Sequence, residues 1–239
     1  MGERFYIHRH SLIHELEPHA KIISMLLFLL IVIITPIQNH FAFIGFFTIV
    51  LGLVVLAKLP IIKVLKRSAV EIPFLLFAIL MPFVSADKER AKVAALSIIA
   101  KATIGVLLAI LLSSTTPARE ILRGFETLKL PTLLVQITSF VLRYLNVIND
   151  EMERMTVARS SRGFEPKGIK DWKFVSAAAG ALFIRSYERG ERVHLAMISR
   201  GYEGKLPSSS TSKVTKADRF KIALLISIIL ALSILGRFI

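Results

Sequence analysis

Residues 93–112 read Val-Ala-Ala-Leu-Ser-Ile-Ile-Ala-Lys-Ala-Thr-Ile-Gly-Val-Leu-Leu-Ala-Ile-Leu-Leu, with Lys101 as the one charge in the stretch. About 20 apolar residues suffice for a helix to cross the hydrocarbon core of a bilayer, so this segment reads as a transmembrane span. Three shorter apolar segments precede it at 22–35, 41–57 and 69–84, and a further one at 220–235 closes the chain. Hydrophobic residues make up 54% of the 239, and the mean hydropathy is +0.64. Soluble domains reach about 45–50% apolar even with glycine counted. The expected fold is therefore an all-α integral membrane protein with about five transmembrane helices.

Orientation follows from where the bases lie. Residues 58–68 carry Lys58, Lys63, Lys66 and Arg67 without an acid, whereas 36–40 carry no Lys or Arg. The positive-inside rule puts the former, and with it the N-terminus, on the cytoplasmic side. Residues 85–92 are then external, and Lys213, Lys216, Arg219 and Lys221 place the start of the last span inside. The same rule accounts for the formal charge of +14. Nucleic acid is not an expected partner, because the bases are scattered among acids and form no phosphate-tracking stripe. Thr35-Pro36-Ile37-Gln38 after the first span has no small-x-small cleavage pattern, so that span reads as retained. Without any cysteine, disulfides, thiolate metal sites and cysteine nucleophiles are ruled out together.

Residues 113–219 differ in character, with 18 Lys and Arg and 11 Asp and Glu. Residues 117–129 read as a short amphipathic helix, and Pro131 opens a long helical pattern that runs to about Arg162. Asp171 is a plausible N-cap for a second, ending near Arg200, and a Ser/Thr-rich linker at 208–215 leads to the last span. Residues 132–148 are apolar enough to form a rival span if Gln136 and Arg143 are tolerated, but Arg143 would be costly at its centre and 174–184 is too short to bring the chain back inside. A helix half-buried along the inner face is preferred.

Each long pattern ends on the same motif. Ala158-Arg-Ser-Ser-Arg-Gly-Phe-Glu-Pro166 and Ala196-Met-Ile-Ser-Arg-Gly-Tyr-Glu-Gly204 lie 38 residues apart and agree at five positions and an aromatic. Gly163 and Gly201 suit the left-handed residue that ends a helix. Arg162 and Arg200 then project past the helix tip, where the negative end of the helix dipole favours a cation. A guanidinium held there is a five-donor fork suited to carboxylates and carbonyls in a groove on another protein. A basic last turn with a glycine stop is common; a nine-residue repeat of it points to matched contacts for two copies of one partner. Ala158, Ser161, Arg162, Gly163, Ala196, Ser199, Arg200 and Gly201 are thus the candidate site. Arg123-Gly124-Phe125 lacks the Ser and Ala and reads as structural. The small run Ser176-Ala-Ala-Ala-Gly-Ala181 would let the two long helices cross closely, or pack against a span.

His14-Glu-Leu-Glu-Pro-His-Ala-Lys21, the two Ser-Arg-Gly motifs, and Arg185-Ser-Tyr-Glu-Arg189 leading into Val193-His-Leu-Ala-Met197 together resemble the CbiQ family. These are the transmembrane (T) components of energy-coupling factor (ECF) transporters, in the cobalt branch. The resemblance covers essentially the whole chain. It implies a non-catalytic subunit: two cytoplasmic ABC-type ATPases grip the tips of coupling helices through Ala-Arg-Gly motifs, and their movement reaches a separate substrate-binding S component in the membrane. Carried over, Arg162 and Arg200 are the anchoring cations. This chain has Ser in place of Ala in both motifs, and Glu17 and His19 where the family usually has Asp and Arg. The implied layout is an N-terminal segment with spans one to four (1–112), a coupling module (113–204), and a linker with the last span (205–239) in a prokaryotic cell membrane. A nickel or vitamin T component is the near alternative, and a lipid-modifying intramembrane enzyme the distant one.

The absence of a Gly-x-x-x-x-Gly-Lys-Ser/Thr loop agrees with ATP hydrolysis residing elsewhere. No cofactor or metal site is expected; His8, His10, His14 and His19 read as interfacial side chains. Glu71 and Lys101 are ionisable residues inside apolar segments and so candidates by position, with snorkelling, or pairing with a polar group on a partner subunit, as the duller account.

Overall fold

The computed structural model describes residues 7, 11, 13, 14, 16–36, 39–128, 130–163, 172–204, 226, 227, 230 and 231. His8, His10, the Asp171 cap, the 208–215 linker and all but four residues of the 220–235 span lie outside them. Among the described residues the structure is all-α. The helices are α1 (Pro18–Ile34), α2 (His40–Leu56), α3 (Ile61–Ser68), α4 (Ile72–Val84), α5 (Lys88–Thr115), α6 (Ala118–Thr127), α7 (Thr132–Ser160) and α8 (Trp172–Ile198). They fall into two compact units, one built on residues 3–128 and the other on 129–211.

The boundaries follow local chemistry. Pro18 opens α1, where its missing N–H is harmless. Asp87 caps α5 by accepting from the backbone N–H of Arg90 at 3.2 Å. The basic connection 58–68, expected as a loop, instead contains α3, which continues through a 3₁₀ turn (Ala69–Glu71) into α4. Val64 of α3 is buried while Ile61, Lys63, Leu65 and Lys66 are exposed, the stripe of an amphipathic helix. The turn sits where Pro73 has no N–H to return to the Ala69 carbonyl, so the Ile72 N–H takes it instead.

Two helical runs, Ile61–Val84 and Lys88–Thr115, are long and apolar enough to cross a membrane. Only 11% and 33% of their most apolar windows are buried within the protein, which separates them from the core helix of a soluble domain. Phe74, Phe77, Phe83 and Val84 of α4 and Phe41, Ile44 and Val55 of α2 lie exposed. An apolar surface of this extent is suited to lipid. The core of this unit joins α1, α2 and α5: Phe28, Val32, Phe46, Val50, Ile104 and Leu111 are buried, and Phe28 meets Phe46 edge to face at 5.8 Å. Between helices in lipid, such interlocking must carry association, because the hydrophobic drive is absent there.

Both ionisable residues of the apolar segments have partners in this unit. Glu71, 4% exposed, accepts from Thr103 Oγ1 at 2.7 Å. Lys101 Nζ donates to the Ile33 carbonyl at 2.7 Å, in the last turn of α1, where carbonyls lack helical donors. Both partners lie within this chain, and neither bond needs a second subunit. Replacing Thr103 with Val would leave the buried carboxylate without that donor. A loss of about 1–3 kcal/mol is expected, read as a lower thermal midpoint in detergent.

α6 lies against α1 at Gly124. A Cβ there would come within 2.8 Å of Ile22 Cδ1 and 3.2 Å of the His19 backbone nitrogen. This glycine serves helix packing, as the sequence suggested for Arg123-Gly124-Phe125.

Candidate functional site

The two motifs form helix tips of one construction. In α8, Gly201 stands at φ +81°, its N–H bonded to the Ile198 carbonyl at 2.9 Å and the Tyr202 N–H to the Met197 carbonyl at 3.0 Å. That pair of bonds is a Schellman ending, with Arg200 in the capping position and glycine just beyond it. In α7, Gly163 stands at φ +75° and its N–H meets the Ser160 carbonyl at 2.9 Å, the same bond at the same position. A Cβ on either glycine would meet nothing within 4 Å. Glycine is therefore required here by backbone conformation and not by space.

The serines finish each tip. Ser161 Oγ donates to the Val157 carbonyl at 3.0 Å and Ser199 Oγ to the Ala196 carbonyl at 3.0 Å. The second bond satisfies a carbonyl near the helix end, since the Arg200 N–H turns to the Met197 carbonyl, whereas the Val157 carbonyl already accepts the Ser161 N–H at 2.9 Å and takes the hydroxyl as a second donor. Ala158, Ser161, Arg162 and Gly163, and likewise Ala196, Ser199, Arg200 and Gly201, are all exposed. Neither Arg162 nor Arg200 has an ion pair among the described residues. Phe164, Glu165 and Pro166 lie outside them, so the first motif is described only as far as its glycine.

Contacts within this unit fix where the tips stand. Arg185 pairs with Glu151, while Gln136, in the second turn of α7, donates to the Gly204 carbonyl and accepts from Tyr202 Oη. α7 and α8 are thus antiparallel, with the end of α8 beside the beginning of α7. From Gln136 to Arg162, α7 rises roughly 40 Å at about 1.5 Å per residue. The two arginine tips stand at opposite ends of the helix pair.

Gln136 is the residue that sequence reasoning missed. It is 9% exposed and both ends of its amide are engaged, at 3.3 Å and 3.2 Å. One signal was available, an amide side chain early in the apolar stretch 132–148. Replacing Gln136 with Leu should free the second tip while leaving the first alone. Faster proteolysis or hydrogen exchange at 199–204, with 158–163 unchanged, would register this.

The small run of α8 is mostly exposed. Ala178 is buried, but Ala177 and Ala179 are exposed and a Cβ on Gly180 would meet nothing within 4 Å. α7 and α8 meet from Arg185 onward, where that residue pairs with Glu151. There Phe140, Tyr144 and Ile148 face Ser186, Gly190, Val193 and Met197 across an apolar cleft of about 260 Å³. On the α7 side the rings of Phe140 and Tyr144 stack at 6.4 Å.

Among the described residues no group of His, Asp and Glu is arranged to hold a metal ion. His14 has both ring nitrogens occupied: Nδ1 accepts from Ser11 Oγ at 2.7 Å and Nε2 donates to the Ile7 carbonyl at 3.2 Å.

Comparison with known proteins agrees with this description along most of the chain. Residues 9–212 match the CbiQ family of cobalt transport proteins. The energy-coupling factor transporter transmembrane protein EcfT of Bacillus subtilis is 28% identical over 223 residues, covering 83% of each chain. The EcfT protein of Listeria innocua is 28% identical over 225 residues, again covering 83% of each. An uncharacterized protein of Methanocaldococcus jannaschii is 28% identical over 215 residues, 82% of this chain and 73% of its own.

Proposed function

The chain belongs to the CbiQ family of cobalt transport proteins, and on that premise we propose that it is the energy-transducing T subunit of an ECF-type importer for cobalt(II). Two cytoplasmic ABC-type ATPases each take one tip, Arg162 entering a groove on one and Arg200 the equivalent groove on the other. Ala158 and Ala196 keep the flank of each tip narrow, and Ser161 and Ser199 hold its last turn. The chain itself hydrolyses nothing. A separate substrate-binding S component, also in the bilayer, selects the cargo. In this reading five spans cross the cell membrane and the N-terminus and both tips lie in the cytoplasm, in keeping with the basic residues of 58–68.

One observation carries the reading. Two tips of like construction, each with an exposed guanidinium, stand at opposite ends of one antiparallel helix pair. Two copies of one partner, roughly 40 Å apart at about 1.5 Å of rise per residue, can occupy them without colliding. Affinity purification from the native membrane is the test: a phosphate-loop ATPase and a small apolar membrane protein should accompany the chain. Purification without any ATPase would contradict the reading.

A T component for nickel or a vitamin is the second reading, favoured by relatives whose name, energy-coupling factor transporter transmembrane protein, specifies no cargo. Uptake of radiolabelled cobalt against nickel by the same complex decides between the metals, and failure with both favours a vitamin.

A further inference from the structure

Lys21 is buried to 2% exposure, and its ammonium faces three neutral oxygens: the carbonyl of His14 at 3.1 Å, the carbonyl of Thr115 at 3.3 Å and Oγ1 of Thr116 at 3.2 Å. All three protons are thereby accounted for. The position is an unfavourable one for a cation by the usual rules. It lies in the first turn of α1, at the positive end of that helix's dipole, and burial removes its water. The carboxylates of Glu120 and Glu17 and the end of α5 offset this. Thr115 is the last residue of that helix, so its carbonyl has no helical donor and carries the negative end of the α5 dipole.

The place of this contact gives it meaning. Thr116 is extended and Pro117 caps α6, so Thr116 and Pro117 form the corner at which the chain leaves α5 and heads through α6 toward α7. Everything around the corner is fixed. Ser114, Thr115 and Thr116 are each 1% exposed, and the Arg67 guanidinium donates to Ser114 Oγ at 2.5 Å. The Ile7 N–H meets the Ser114 carbonyl at 3.0 Å, and α6 is seated on α1 at Gly124.

We propose that Lys21 is a positioning residue that latches the α5–α6 corner to the start of α1, so that movement arriving through α7 and α6 turns the membrane helices instead of bending the corner. This rests on the function proposed above. A burial cost this specific, sited at the chain's only covalent path from α5 to the arginine tips, is what such a latch requires.

The test is hydrogen exchange on the full complex with its ATPases, comparing the wild type with Lys21→Met and Thr116→Val. In the wild type, ATP should change exchange across residues 18–34. In Lys21→Met the ATPases should stay bound and hydrolyse ATP within about twofold of wild type, while exchange at 113–121 rises about tenfold and the ATP-dependent change at 18–34 is lost. Thr116→Val, which keeps the shape and removes one acceptor, should raise exchange at 113–121 by about threefold. An ATP-dependent change at 18–34 that survives in Lys21→Met overturns the proposal. So does joint loss of assembly and hydrolysis in both variants, which would make Lys21 a plain fold contact. A wild-type complex lacking ATPases contradicts the preceding section instead, and exchange at 113–121 in the chain alone then judges the latch.

Discussion

Replacing Arg162 and Arg200 together with Ala is expected to strip the ATPases from the complex and abolish cobalt uptake, with the chain still folded in the membrane. Both side chains are exposed and have no ion pair among the described residues, so their removal leaves the fold of the chain untouched. Truncating one member of a buried, hydrogen-bonded charge pair at an interface costs about 2–5 kcal/mol, which is about 30-fold to several thousand-fold in affinity at roughly 1.4 kcal/mol per tenfold. Two such grips on one particle multiply through effective concentration. Each single replacement should therefore weaken ATPase retention yet leave one copy held. The double variant should retain neither. Co-purification and uptake of radiolabelled cobalt measure the two effects, and wild-type values in the double variant would remove the functional reading.

The second large effect concerns the glycines. At Gly201 the backbone sits at φ +81° with open space around the missing Cβ. Left-handed backbone costs an ordinary L-residue roughly 1–2 kcal/mol, and for a β-branched residue it is a true outlier. Gly201→Val should relax the Schellman ending, turn Arg200 away from its direction and reduce ATPase retention about tenfold, at roughly 1.4 kcal/mol per tenfold. Gly201→Asn should stay close to wild type, because Asn tolerates the same conformation. The pair distinguishes conformation from space: if Asn and Val fail alike, a side chain of any kind blocks the partner's groove and the conformational argument is wrong. Gly163 should behave in parallel.

The tips were legible in the sequence because their chemistry is local. A glycine at the end of a helical pattern, an arginine before it and a serine one residue earlier define the ending within four residues. Pro131 likewise marks the start of α7, since a proline without a donor is tolerated just there. α3 was harder: Lys63, Lys66 and Arg67 dominate an eight-residue segment, and the stripe that buries Val64 is too short to stand out against them. The antiparallel register of α7 and α8 is not in any local stretch. It depends on Gln136 meeting Tyr202 and Gly204 across 66 and 68 residues of chain, and a small-residue run elsewhere on α8 competes for the same prediction. Lys21 shows the same limit. Its charge stands out beside an apolar segment, but its partners Thr115 and Thr116 are 94 and 95 residues away.

Since the sequence holds no cysteine, single substitutions Ser161→Cys and Ser199→Cys give clean reporters of both tips. Labelling them with a membrane-impermeant maleimide, in intact cells and in opened membranes with and without the ATPases, reports which side of the membrane each tip occupies and whether an ATPase covers it. Both cysteines should be silent from outside, reactive in opened membranes stripped of ATPases, and protected together when the ATPases return. Labelling of either one in intact cells, or full reactivity with the ATPases bound, would contradict the account.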